Sequence, residues 1–458
     1  MPIKAPNLKN IFVAENVFVI LALIFGLIFA FKTAPFHGPD EAAHFFRVYQ
    51  ISKLQLTPLK VDVEQHSEGH AVIPFNMGTA INSYSAPENL GARLPKDNLN
   101  FELDESEMLE VDISTTAVYS PVAYLIQAVG LGVASIFTKN VLMLSYLLRY
   151  FSLFTYIALV YLAIRQLKTL KWFMFFMALL PVCIAQAALL NVGAMAFGLI
   201  FLFLAYVISI ITRKEKVTIK EQFTLGALAL AITLTNFAYF PLIFILLATY
   251  QKWGGVRRTL VSLALILGVS CAALLMWSHL VGDIRPLGPS MNSDNYDTQL
   301  LLLKQSPQYF WERFSNTFFS RLGHVWPLRT VGGTFDWAIP IRIAKPIGYA
   351  ILITLPLLAF LNGSGKVSVI NRVLPVLVTA TNLIFISVIY YLTHMKVGDR
   401  AIAGLQGRYF TPLLLLLSIM FINNVGSKYK NIFKYVDIAV PILSIAMAVI
   451  GLLALATA

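Results

Sequence analysis

The sequence predicts an all-α protein that crosses a lipid bilayer many times. Of its 458 residues, 58% are hydrophobic and 13% are charged, whereas a soluble domain carries about 25% charged residues. Stretches such as 18–30 and 440–455 contain no charge at all, and about 20 apolar residues suffice for one helical crossing. We therefore expect a single transmembrane domain over residues 1–458, with the bilayer as a partner and no nucleic-acid partner despite the net charge of +12.

The clearest predicted crossings are apolar runs separated by loops that are rich in Lys and Arg. In chain order these runs are 11–31, 141–164, 172–190, 193–212, 259–281, 346–361, 373–393, 409–423 and 436–456. The only cysteines, Cys183 and Cys271, lie inside such runs. Their positions exclude a disulfide framework and a cysteine-based metal site.

Basic loops decide the arrangement of two further apolar stretches, because Lys and Arg collect in cytoplasmic loops. If 120–137 crossed the membrane, the basic loop 165–171 would face outward, so we expect 120–137 to lie along the outer surface. The stretch 223–250 has basic loops at both ends, which indicates a hairpin of two short helices that turns near 235–240. Arms of about 14 residues reach only about 21 Å, so the turn is expected inside the membrane.

This arrangement amounts to about eleven transmembrane helices, with the N-terminus inside and the C-terminus outside. It leaves two long external segments, residues 32–140 with interfacial helices and residues 282–345, and a shorter one at 394–408. Most acidic residues lie in these segments. We interpret the acid-rich stretch 97–112 as a solvated loop, with a metal or a basic partner as the alternative.

The segment directly after the first predicted crossing carries the strongest candidates for chemistry. Its Pro and its two adjacent acids predict the start of a helix. On that helix Asp40, His44 and Arg47 stand at i, i+4 and i+7 and form a polar row, with Glu41 beside it. An ionised carboxylate held there would accept the proton of an attacking hydroxyl. The alternative is a capping and salt-bridge cluster that closes an interfacial helix.

Polar residues of other outer segments are predicted to bind a substrate or the phosphate of its lipid carrier. A guanidinium group matches phosphate oxygens, and the neighbouring Gly407 would allow Arg408 a close approach. The alternative role for Arg408 is that of an interfacial anchor. The complete set of predicted binding residues is Arg47, Gln186, Asn191, Arg321, His324, Lys396, Gln406, Arg408 and Tyr409.

Two motifs carry a resemblance to a known family. Pro39-Asp40-Glu41, followed by His44-Phe45 and Arg47–Ile51, and the later Leu405–Phe410 resemble a bacterial family of polytopic membrane proteins catalogued as a domain of unknown function. That family is similar in layout to the GT-C glycosyltransferases, which use sugars linked to polyprenyl phosphate or pyrophosphate. The resemblance covers roughly residues 12–421 and implies a GT-C-like bundle.

The resemblance also implies roles for individual residues. Asp40 would be the catalytic base, Glu41 its acidic neighbour and Arg408 a ligand of the carrier phosphate, and we add His44 to the catalytic set. Family members often carry an Asp in the segment matched by Asn191-Val192-Gly193, where this chain has Gly193. We therefore assign no metal ligand and no certain cofactor, and a divalent cation stays open. Arg321 or Lys396 would replace its charge beside Arg408.

The resulting functional prediction is an enzyme of a bacterial plasma (inner) membrane with its active site on the external face. It would be an inverting glycosyltransferase that moves a sugar from a polyprenyl-(pyro)phosphate donor to a lipid-linked or cell-envelope glycan acceptor. Two alternatives stay open: a transporter or flippase of a lipid-linked sugar, and a non-catalytic membrane scaffold.

Overall fold

The structure is a computed structural model that describes residues 13–63, 66–85, 101–287, 293–320, 326–331, 344–423 and 430–456. Most of the described chain is helical. In chain order the α-helices are α1 (Ala14–Lys32), α2 (Glu41–Ser52), α3 (Phe75–Ser85), α4 (Ser114–Ala117), α5 (Leu125–Phe137), α6 (Val141–Gln166), α7 (Lys171–Ala178), α8 (Pro181–Ala187), α9 (Gly193–Thr212), α10 (Ile219–Thr235), α11 (Val256–Val281), α12 (Ser293–Gln305), α13 (Pro307–Phe319), α14 (Trp326–Val331), α15 (Lys345–Asn362), α16 (Val369–Thr393), α17 (Thr411–Ser418) and α18 (Lys430–Ala456). Segments of 3-10 helix cover Pro121–Tyr124, Phe237–Lys252, Gly407–Phe410 and Ile419–Phe421.

Six helices of the described residues are long and apolar enough to cross a membrane, namely α1, α6, α9, α11, α15 and α16. The predicted crossing 436–456 lies within α18, whose apolar part is Ile438–Ala454, and the others fall on shorter or interrupted helices. The run 172–190 divides into α7 and α8, because Leu179 ends one helix and Pro181 starts the next. The run 409–423 is α17 between two 3-10 segments. The protein is thus a helical membrane protein, and the count of eleven crossings stays a prediction.

The hairpin that charge indicated for 223–250 is present. Helix α10 ends at Thr235, and the 3-10 segment Phe237–Lys252 brings the chain back beside it. The Val217 N–H donates to the Lys252 carbonyl at 2.9 Å, so both ends of the hairpin lie together. The 17-residue helical limb reaches about 25 Å, and the 16-residue 3-10 limb reaches about 32 Å. Both limbs are longer than the arms of about 21 Å on which the expectation of a turn inside the membrane was based.

Helix α5 forms most of the stretch 120–137, which we expected to lie along the outer surface. It packs back along the first half of α6. The Gln127 Nε2 donates to Ser152 Oγ at 3.3 Å, and Gly130 lies against the Phe151 ring, where a Cβ atom would collide. At 13 residues, α5 reaches about 20 Å and is too short to cross the hydrocarbon core.

The first external segment contains a small β-sheet that sequence analysis did not predict. Strands β1 (Leu59–Val63), β2 (His66–Pro74) and β3 (Met108–Asp112) form an antiparallel sheet in the order β1-β2-β3. The side chain of Gln50 on α2 donates to the His70 carbonyl of β2 at 3.3 Å. The sheet therefore supports α2 from its outer side.

Two apolar clusters build the core, and they meet on α6. One packs α1, α6, α7, α8 and α9 with the hairpin. The second lies under the first external segment and joins α2 to the sheet, α5 and the first half of α6, with Phe45, Val48 and Leu148 almost fully buried. Helix α2 is held on several sides, and this packing positions its first turn against the bundle.

Candidate functional site

The first turn of α2 presents Asp40 with an unusual backbone. Asp40 occupies the N-cap position with φ 56° and ψ 18°, in the left-handed region. Such a conformation is uncommon outside glycine, and Asp is among the residues that tolerate it best. The carboxylate makes no capping hydrogen bond, and Asp40 is exposed. Because local strain of this kind persists only when neighbouring structure enforces it, the position is a candidate for function.

The adjacent Glu41 has the opposite environment. Its carboxylate is buried and forms a bidentate ion pair with Arg149 of α6, with both N–O distances at 2.7 Å. The backbone N–H groups of Leu190 and Gly38 each donate to Glu41 at 3.1 Å. Burial would raise the pKa of Glu41, but the charge and hydrogen bonds of Arg149 and the two backbone donors hold it below its ordinary value.

The remaining donors of Arg149 are also satisfied. They bond to three carbonyl groups at the end of α1, those of Ala30, Thr33 and Ala34, at 2.7–2.8 Å. The pair thus ties α1, α2 and α6 together. With every donor of Arg149 engaged and solvent excluded, Glu41 has no free position for proton transfer. The geometry favours a structural role for Glu41 over the predicted catalytic one.

His44 lies one turn further along α2 and is 6% exposed. Its Nδ1 shares a hydrogen bond of 2.8 Å with the Tyr124 hydroxyl, and its ring is also close to Tyr119. Burial lowers the pKa of His44 to about 4; the charge of Arg408 acts in the same direction, and Asp40 and Glu41 oppose it. His44 is therefore neutral near pH 7.

Arg408 reaches the same site from the far end of the sequence. It lies in the 3-10 turn Gly407–Phe410 and is partly exposed. Gly407 packs so closely on the Arg329 backbone that a Cβ atom there would collide. The Arg408 guanidinium lies 5.4 Å from the Tyr409 ring centre. The Tyr409 ring in turn stacks on Tyr390 at 5.2 Å.

Asp40 is the common electrostatic partner of this cluster. Its charge acts on His44, on the Tyr119 hydroxyl, on His394 and on Arg408. Asp40 and Arg408 nevertheless form no direct ion pair, although both belong to the described residues. Neither Asp40 nor Arg408 takes part in an ion pair within the described residues.

His394 joins the site although sequence analysis did not single it out. It follows α16, its ring centre lies 4.7 Å from that of Tyr390, and its Nδ1 is 2.7 Å from Thr393 Oγ1. Gly404, with φ 75°, packs on its ring. Burial lowers the pKa of His394, while Asp40 acts in the opposite direction. A single histidine in the 394–408 segment has no spacing pattern that would have identified it.

Arg47 does not continue the predicted polar row. It is fully buried, and its guanidinium donates to the Gln50 side chain and to the Leu56 carbonyl, the latter at 2.7 Å. It also lies 5.9 Å from the Trp277 ring centre. Burial lowers the pKa of Arg47 to about 10. These partners hold α2 in place, so the geometry favours a structural role over the predicted phosphate ligand.

Gln186 and Asn191 are buried below the first turn of α2. Asn191 accepts from the Gly193 N–H at 2.6 Å and donates to the Gln186 carbonyl at 3.3 Å, which closes the turn before α9. The side-chain oxygens of both residues occupy the space into which a Cβ of residue 193 would project. A side chain larger than that of glycine at position 193 would therefore displace these amide groups.

The other predicted binding residues differ in exposure and in their contacts. Lys396 is exposed, and its backbone N–H donates to Asp399 at 3.0 Å. Gln406 is partly buried, and its Oε1 has no partner among the described residues. Tyr409 accepts a bond of 3.0 Å from the Tyr239 hydroxyl at its carbonyl, which joins the site to the hairpin. Arg321 and His324 lie outside the described residues.

Away from Asp40, the described residues contain one cluster of side chains that could bind a metal ion. Glu68, His70 and Asp112 bring ligand atoms within 4.8 Å of one another on the β-sheet. His70 already contacts Glu68 at 3.0 Å and Glu110 at 2.9 Å. The group lies beyond the C-terminal half of α2, since Gln50 contacts the His70 backbone. It is therefore separate from the site around Asp40.

Comparison with known proteins gives one match. The profile of a family described as "Predicted membrane protein (DUF2142)" matches residues 23–417. This range includes Asp40, Arg149, His394 and Arg408. No curated protein and no solved structure matches the chain.

Replacing Arg149 by Met should destabilise the protein strongly, because Glu41 would keep a buried and unpaired charge. The expected loss is about 3–5 kcal/mol in the free energy of unfolding in detergent. Arg213→Met is the matched control, since it breaks the Arg213–Glu221 pair, which is more accessible, and should cost about 1 kcal/mol. Glu41→Gln in the Arg149→Met background should recover part of the loss. Equal losses for the two single variants would contradict the structural role of Glu41.

The low pKa of His44 predicts a pH dependence of stability. The folded protein keeps His44 neutral down to about pH 4, whereas an unfolded histidine takes up a proton below its ordinary pKa of 6.5. The free energy of unfolding should therefore fall as the pH drops through this window, by about 2 kcal/mol between pH 7 and pH 5. His44→Gln should remove that part of the loss in thermal unfolding. His279→Gln, at an exposed position of α11, should behave like the wild type; the same behaviour in His44→Gln would refute the assignment.

Proposed function

The chain belongs to the family of predicted membrane proteins that matches residues 23–417, and on that premise we propose that it is an inverting glycosyltransferase of GT-C type. It would move a sugar from a polyprenyl-(pyro)phosphate donor to a lipid-linked or cell-envelope glycan acceptor. The site would face the outside of a bacterial plasma membrane, because Asp40 follows α1, whose N-terminal side carries the basic Lys4 and Lys9.

A single observation carries the proposal. The exposed carboxylate of Asp40 interacts with the Arg408 guanidinium but does not pair with it. Glycosyl transfer with inversion needs a base on one side of the anomeric carbon and a positive group on the leaving phosphate. Asp40 and Arg408 supply these two groups from opposite ends of the sequence.

The transfer step uses each group once. The acceptor hydroxyl gives its proton to Asp40 as its oxygen forms a bond to the anomeric carbon. The bond from that carbon to the carrier phosphate breaks at the same time, and its electron pair stays on the phosphate oxygen. Arg408 stabilises the resulting negative charge with charge-assisted hydrogen bonds. The positive charge that develops on the sugar lies near the Asp40 carboxylate.

The aromatic and histidine residues of the site support this chemistry. A neutral His44 keeps Asp40 available as a base, because a protonated imidazole would pair with that carboxylate. Burial raises the pKa of Tyr119, so its hydroxyl stays protonated and can donate to a substrate oxygen. The stacked Tyr390 and Tyr409 rings hold the segment from which Arg408 extends.

Asp40→Asn should abolish the base while it preserves the size of the side chain. With purified protein in nanodiscs and a panel of polyprenyl-phosphate sugars, we expect transfer to fall by about 10²–10⁴-fold. Donor binding should survive. Asp104→Asn, which neutralises an exposed acid of the same external segment, should leave transfer unchanged. Undiminished transfer in Asp40→Asn would remove Asp40 from the mechanism. Movement of labelled donor between leaflets without any transfer would support a transporter instead.

Replacing Arg408 should weaken binding of the donor more than binding of the acceptor. Arg408→Ala is expected to weaken donor binding by about 10–100-fold, the value of a hydrogen-bonded charge. Arg408→Lys should recover part of the affinity, because it restores the charge without the planar fork. The measurement is the donor dissociation constant, with thermal unfolding as the check on folding. A loss of stability with unchanged donor affinity would assign Arg408 to an anchoring role.

A further inference from the structure

A second cavity lies at the opposite end of the hairpin from Asp40. It occupies about 510 Å³ where α10 begins, the 3-10 segment Phe237–Lys252 ends and α11 begins. The other ends of these elements contact the two neighbours of Tyr119 in the chain: Ser120 donates to the Leu234 carbonyl at 2.7 Å, and Trp277 donates to the Val118 carbonyl at 2.8 Å. The 17 residues of α10 separate the two ends by about 25 Å.

The lining of this cavity is strongly basic. Its charged residues are Lys216, Lys252, Arg257 and Arg258, and no acid lines it. None of the four cations forms an ion pair with a described residue. The nearby acid of the α10 start, Glu221, is already bonded to Arg213 and to Thr218. Four unpaired cations around one cavity favour an anionic ligand.

A buried donor without a partner points to the same kind of ligand. Trp253 lines the cavity and is only 5% exposed, yet its indole Nε1–H has no hydrogen-bond partner among the described residues. A buried polar group without a partner costs about 1–3 kcal/mol. An acceptor oxygen in the cavity would satisfy it. The indole N–H only donates, so a group that pairs with it must be an acceptor.

The start of α11 adds backbone donors. Gly255 caps this 26-residue helix without any side-chain hydrogen bond, and both Gly254 and Gly255 have positive φ values, +85° and +118°. A Cβ on Gly255 would meet no atom within 4 Å, so the approach to the first turn is open. The first N–H groups of a helix and its dipole attract phosphate oxygens.

We propose that this cavity is a phosphate-binding site, suited to the phosphodiester of an anionic membrane lipid or to a soluble phosphate. Four cations supply the charge, the Trp253 indole supplies one fixed donor, and the glycine-capped start of α11 supplies further donors. Basic pockets between membrane helices on the cytoplasmic side hold anionic lipid headgroups. The exposed apolar residues Val261 and Ile219 border the cavity, where a lipid chain would leave it.

The test uses the full chain in detergent, with phosphatidylglycerol, phosphatidylcholine of the same chain length and inorganic phosphate as separate probes. Native mass spectrometry measures bound lipid, and the thermal unfolding midpoint measures stabilisation. We expect phosphatidylglycerol to bind and stabilise, and phosphatidylcholine to do neither. Arg257→Gln/Arg258→Gln should weaken phosphatidylglycerol binding by at least about tenfold, and Trp253→Phe, which keeps a ring but no donor, by about tenfold.

The matched control is Lys214→Gln/Lys220→Gln, which removes the same charge from exposed positions that do not line the cavity. It should keep wild-type binding. Should the arginine double variant fail to fold, Lys216→Gln/Lys252→Gln tests the same cavity. Stabilisation by inorganic phosphate, and not by phosphatidylglycerol, would support the site with a soluble ligand. Equal losses in the cavity and control variants, or no response to either phosphate probe, would overturn the proposal.

Discussion

The buried ion pair between Glu41 and Arg149 is the constraint on which the arrangement of the outer end depends. Removing two charges from water is costly, and such a pair is stable only when every remaining donor and acceptor is satisfied. Here Arg149 also bonds the last carbonyl groups of α1, and Glu41 also accepts from the start of α2 and from the turn before α9. One pair therefore fixes how the chain leaves α1 and enters α2. Asp40 lies on that path at the N-cap of α2, with a left-handed backbone conformation and an exposed side chain.

Two neighbouring carboxylates thus acquire different tasks from their surroundings. Glu41 is enclosed by donors and holds the fold together, whereas Asp40 keeps its oxygen atoms free. A pair of acids in contrasting environments is a recurring feature of sites that move protons. In this chain the contrast depends on a single residue of α6, because Arg149 reaches one acid and not the other. The contacts of Glu41 fit the structural interpretation of the Asp-Glu motif, and the chemical interpretation stays a proposal for Asp40.

The sequence was sufficient for the features that depend on composition and charge. Apolar runs located the long helices, and basic loops at both ends of 223–250 predicted the hairpin. Asp40 and Arg408 were selected together through the family resemblance, because their spacing along the chain does not relate them. The sheet escaped prediction because β1 and β3 have only five residues each, and because β2 pairs with β3 from a distant part of the sequence, His70 with Asp112. The place of His394 in the site and the burial of Arg47 both result from contacts between distant elements. A local sequence pattern does not reveal such contacts.

The 3-10 segment Phe237–Lys252 determines how far the hairpin reaches. Runs of 3-10 helix longer than a few residues are uncommon because their hydrogen bonds are less favourable. Their rise per residue is larger, however, so these 16 residues reach about 32 Å where an α-helix would reach about 24 Å. The limb is therefore as long as the hydrocarbon core is thick, about 30 Å. It touches Tyr409 at one end and leads into Trp253 at the other. This one segment therefore connects the turn that carries Arg408 with the basic cavity at the opposite end of the hairpin.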